Sequence, residues 1–202
     1  QGGDGGFIEV SGKTGLDFHG TVNALAPLGM TGSLLLDPRD ITINDGGSVV
    51  PLTDVDAFND PSGTGNDTDV TIDKDTINAA AANVFLRANQ DITLAAVSNI
   101  SIAGVGLTLS MQAGRSITLN SNITTNNGAV TLTANETVGS GVNDASRALG
   151  SAVISMATGT TINAGNQNIT LTVSTGPTTN NGSGDITLAG LTTTGHVLVV
   201  NN

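Results

Sequence analysis

The chain has no cysteine, no tryptophan and no tyrosine. It has four phenylalanines, five prolines, and six lysines and arginines against 17 aspartates and glutamates in 202 residues. Without cysteine there is neither a disulfide scaffold nor a thiolate zinc site. Five prolines argue against a collagen or mucin-like stalk. A net charge of −11 removes the basic surface that phosphates require, so neither nucleic acid nor an anionic membrane is an expected partner. There is no apolar run of about 18 residues, the length a membrane-spanning helix needs. The opening, QGGDGGF, has no initiating Met and no basic-then-apolar leader, as expected of a processed product or an internal piece. With so few aromatics, the interior falls to Val, Ile, Leu and Ala, which suit a narrow core.

Hydrophobic residues make up 38% of the chain, enough to bury a core, and 27 glycines with many Asn and Thr imply frequent tight turns. One elongated domain over 1–202 is expected. Its centre is Asn83 to Ala134, which holds four apolar-Thr-apolar triplets: Ile92-Thr93-Leu94, Leu107-Thr108-Leu109, Ile117-Thr118-Leu119 and Val130-Thr131-Leu132. Val84 to Leu107, Leu107 to Val130 and Ile100 to Ile123 are each 23 residues apart. A fixed period in the twenties marks a solenoid, because one coil cannot bury its own apolar face and must stack on the next.

The expected fold is therefore an all-β solenoid of about nine coils of roughly 23 residues, a rod on the order of 40 Å long. Irregular coils occupy 1–43, with strands at Phe7 to Val10, Leu16 to Phe18, Leu34 to Leu36 and Ile41 to Ile43. Residues 44–68 form a first surface excursion, rich in Gly, Pro and Asp. Regular coils run over 69–134, with one helical turn allowed at Ala79 to Ala82. A second excursion covers 135–150, and C-terminal coils cover 151–202. Period-two alternation turns Leu107, Leu109, Met111, Ala113, Ile117 and Leu119 inward, and Ser116, Thr118 and Asn120 outward. Val153 continues the spacing from Val130, although Ile154 and Met156 alternate equally well. HVLVVNN reads as an apolar terminal strand that something should cover.

Three stretches carry a family resemblance: Gly5-Gly6-Phe7-Ile8-Glu9-Val10-Ser11-Gly12; Leu35-Leu36-Asp37-Pro38-Arg39-Asp40-Ile41-Thr42-Ile43; and Thr76-Ile77-Asn78-Ala79-Ala80 with the array that follows. In order and spacing they resemble secreted adhesins of the filamentous haemagglutinin and high-molecular-weight adhesin type. These adhesins leave Gram-negative bacteria by two-partner secretion. The resemblance covers about two thirds of the chain. It implies a right-handed parallel β-helix, an outer-membrane transporter acting on the parent protein, and an address outside the cell or on its outer surface. No segment resembles the family's amino-terminal secretion domain, so the match is to the internal helix region. No binding residue transfers with it.

The acidic run Asp54, Asp56, Asp60, Asp67, Asp69, Asp73 and Asp75 offers oxygens of the kind calcium takes. Neither EF-hand nor glycine-rich nonapeptide spacing accompanies it, and solvated turns explain it as well. Among these the calcium candidates are Asp54, Asp56, Asp60, Asp67 and Asp69; no other cofactor is implied. Six Asn-x-Ser/Thr sequons, at Asn66, Asn99, Asn122, Asn135, Asn168 and Asn181, are candidate glycosylation sites in a composition that also supplies them by chance. Arg87 and Arg115 with Asp91 are the nearest approach to a polysaccharide-enzyme constellation, but there is no clustered acid–base pair. His19 and His196 stand alone. The outward threonines Thr93, Thr108, Thr118 and Thr131 raise a ladder that could meet an ordered surface, and β-propensity alone also accounts for them.

The functional expectation is a non-enzymatic structural and adhesive rod. Its partners would be flanking solenoid, or another copy stacked head to tail, together with a host or community surface glycan or protein.

Overall fold

The structure is a computed structural model that describes residues 2–10, 21–36, 38–46, 70–137, 142, 147–176 and 182–202. These residues form strands in three all-parallel sheets, and the chain visits the sheets in turn as it winds. Sheet 1 stacks β1 (Phe7–Val10), β2 (Ser33–Leu36), β5 (Asn83–Ala88), β8 (Leu109–Ala113), β11 (Val130–Ala134), β14 (Ile169–Val173) and β17 (Val197–Asn201). Sheet 2 orders β4 (Val70–Asp73), β3 (Ile41–Asn44), β6 (Ile92–Leu94), β9 (Ile117–Leu119), β12 (Ala152–Met156) and β15 (Ser183–Thr187). Sheet 3 orders β7 (Ile100–Val105), β10 (Ile123–Asn126), β13 (Thr161–Asn163) and β16 (Gly190–Thr192). This is an all-β parallel solenoid.

Alternation decides what goes inside. In β9, Ile117 and Leu119 are buried while Thr118 between them is partly exposed, and β11 repeats the pattern with Val130, Leu132 and Ala134. Because coils stack in register, like side chains align along the axis. Val70, Ile41, Ile92, Ile117, Ile154 and Ile186 form one file through sheet 2. Leu36, Leu86, Met111, Leu132 and Leu171 form another through sheet 1. Each buried aliphatic side chain stabilises by about 1.5–3 kcal/mol, so a run of such files holds the coils together without aromatic mass.

The period of 23 survives as an average, but its boundary moves. Val84 pairs with Leu109, 25 residues on, and Leu109 with Val130, 21 on. Leu107 is therefore not a rung start; it is a buried corner residue that follows Gly106, whose φ is +73°. Two of the four residues by which these spacings differ lie in the corner before β7, where Leu94 to Ile100 spans six positions against four from Leu119 to Ile123, and the other two lie in β7 itself. Opposite β10, Thr125 pairs with Ile102 and Asn126 with Val105, so Ala103 and Gly104 bulge out and lengthen that coil by two. Ile100 and Ile123, upstream of the bulge, keep the 23-residue spacing.

The later coils are longer, because Ile117 pairs with Ile154 and Val130 with Ile169 across the second excursion. The expectation of nine coils assumed a uniform period; the longest sheet holds seven strands among the described residues. Val153 does not extend the spacing from Val130. It faces outward, and Ala152, Ile154 and Met156 point in against β9. Ile169 and Ile186, 17 residues apart, belong to different sheets.

The first excursion is also more than a loop on one coil. β3 leads into it and β4 leaves it, yet β4 lies on the side of β3 away from β6, so the chain steps back along the axis before going forward again. The helical turn follows at once as α1 (Lys74–Asn78), earlier than the alanine run. Asp73 sets its start, because its carboxylate caps Asp75 N at 2.8 Å. Ala80 and Ala82 are instead buried core residues. The expected strand at Leu16 to Phe18 lies outside the described residues.

Candidate functional surfaces

A solenoid corner turns the backbone away from the sheet, so some N–H groups lose their strand partners. Here a short polar side chain of one coil accepts the N–H of the next. Between sheets 1 and 2, Asp40 Oδ1 accepts Asp91 N at 2.9 Å, Asp91 Oδ1 accepts Ser116 N at 2.9 Å, and Ser116 Oγ accepts Val153 N at 3.2 Å. Between sheets 2 and 3, Asn99 Oδ1 accepts Asn122 N at 3.0 Å and Asn122 Oδ1 accepts Thr161 N at 2.8 Å. Between sheets 3 and 1, Asn83 Oδ1 accepts Thr108 N at 3.0 Å and Asn168 Oδ1 accepts His196 N at 2.9 Å.

These ladders place the sequons. Asn99, Asn122 and Asn168 are exposed corner residues whose side-chain oxygens stitch coils together. Asn135 is fully buried, at φ +55°, and its amide donates to Ser174 O at 2.8 Å, which leaves a glycan no room in the folded chain. Asn66 and Asn181 lie outside the described residues.

Of the acidic run, Asp54, Asp56, Asp60, Asp67 and Asp69 also lie outside them. Asp73 caps α1, and Lys74 Nζ sits 2.9 Å from Asp45 and 3.1 Å from Asp75. These hydrogen bonds, the one with Asp45 foremost, raise the Lys74 pKa above its usual 10.5. Among the described residues no group of three or more His, Asp or Glu could hold a metal ion.

The Arg87, Arg115 and Asp91 set divides. Arg115 clamps Asp91 with Nε and Nη2, and the hydrogen bonding holds its guanidinium pKa above the usual value. Arg87 instead gives Nε and Nη2 to Gln112 Oε1 on sheet 1, at 3.1 and 3.0 Å. His196 is exposed and His19 lies outside the described residues. The role of Arg147 was not legible in the sequence. Its buried guanidinium donates to Gly114 O and Glu136 O, while Arg115 Nη1 holds Leu149 O at 2.8 Å, so the second excursion is pinned at both feet.

The threonines do not share one face. Thr93 and Thr118 stand in register on sheet 2, in a file that runs Thr71, Thr42, Thr93, Thr118, Ser155, Thr187. Thr131 faces out from sheet 1, between Ser110 and Thr170, and Thr108 sits at a corner. Three strands per coil send successive triplets to different sheets. The exposed ends are apolar: Val197 and Val199 of β17 are 47% and 42% exposed, though they follow the inward files of Ile169 and Leu171.

Comparison with family models, curated proteins and solved structures finds no match. The class is therefore defined by the fold itself, a parallel β-solenoid with polar side-chain ladders at its corners.

Proposed function

We propose that the chain is a structural and adhesive module of a bacterial secreted or cell-surface protein. It is a right-handed β-helix whose work is to extend, stack and present loops. The observation that carries this reading is the parallel register running from β1 to β17 through sheet 1, with aliphatic files inside and side-chain ladders at the corners. Such a stack is rigid along its axis and indifferent to what its loops contain, as a presenting rod requires. The resemblance to filamentous haemagglutinin-type adhesins supports the address: passage through an outer-membrane transporter as part of the parent protein, then display outside the cell. The rod continues by stacking on flanking solenoid or on another copy. The test combines negative-stain imaging of the purified chain with adhesion of chain-coated beads to host or community cells. Rods that adhere are expected; compact particles or inert beads would overturn the proposal.

A second reading, a binding module for a glycan or an ordered surface, is favoured by the hydroxyl file on sheet 2. A glycan array separates the two, since saturable binding lost on changing Thr93 and Thr118 together to Val would promote it. Turnover of an acidic polysaccharide would displace both readings in favour of an enzyme.

A further inference from the structure

We draw no further inference here: the strongest candidate, the uncharged outer face of sheet 3, on which Ser101, Thr124, Asn163 and Thr192 stand in register, carries nothing because nothing in the structure shows what covers it.

Discussion

Asp91 Oδ1 accepts the backbone N–H of Ser116, one coil further on, at 2.9 Å, and the Nε of Arg115 at the same distance. One carboxylate thus closes a corner and fixes the guanidinium that holds Leu149 O at the foot of the second excursion. The corner and the excursion are mechanically one unit.

Replacing Asp91 separates the two roles. Asp91→Asn keeps an oxygen for Ser116 N and loses the ion pair, which is partly exposed, so it costs under about 1 kcal/mol. Asp91→Ala loses both and costs about 1–3 kcal/mol. Urea denaturation of the two variants measures the difference, and equal losses would show that the corner bond contributes nothing.

Gly128 has no room for a side chain, because a β-carbon there would fall on the carbonyl oxygen of Leu107 in the preceding coil. Gly128→Ala should destabilise by about 3 kcal/mol or more, since backbone on both sides must move. Gly159→Ala provides the comparison. Its β-carbon meets nothing within 4 Å, and only the φ of +85° opposes it, a cost of about 1–2 kcal/mol. A Gly128→Ala chain as stable as Gly159→Ala would refute the packing account.

Val97 holds φ at +58°, a left-handed conformation that a β-branched residue adopts at a cost, and its side chain is exposed. The matching corner of a later coil, two residues past Ala157 as Val97 is past Ala95, uses Gly159. Val97→Asn should therefore raise stability by roughly 0.5–1 kcal/mol. A lowered melting temperature would mean that Val97 makes a contact its exposure does not reveal.

Lys74 makes an alkaline prediction. Its pKa is raised above 10.5 by Asp45 and then Asp75, so the folded chain holds that proton more tightly than the unfolded one. The resulting stability is fully present below 10.5 and is lost as pH rises through the raised value. The gap in melting temperature between wild type and Lys74→Met should narrow across that range. With no Tyr or Cys in the chain, no phenol or thiol titration obscures it. A gap constant with pH would remove the assignment.

Alternation was the legible part. Ile117 and Leu119 in, with Thr118 out, follows from period two, and the same rule places Met111 and Ala113. The 23-residue spacing announced stacking, and the stack is there. The bulge at Ala103–Gly104 was not legible, because a shift of two residues preserves alternation and leaves the inward pattern unchanged. Likewise the alanine run suggested a helical turn by propensity, but the Asp73 cap placed it five residues earlier.

What the sequence determined by itself is that short aliphatic strands must stack at a fixed spacing, since no coil has enough apolar mass to stand alone. Only the tertiary structure decided which strand lies beside which. β4 steps back beside β3, Val153 turns outward, and the threonine triplets part between two sheets. Strand pairing is non-local, and each of these choices leaves the local pattern of apolar and polar residues the same. The ends follow the same rule. That β1 and β17 are opposite edges of a single parallel sheet is visible only once the coils between them are counted in space.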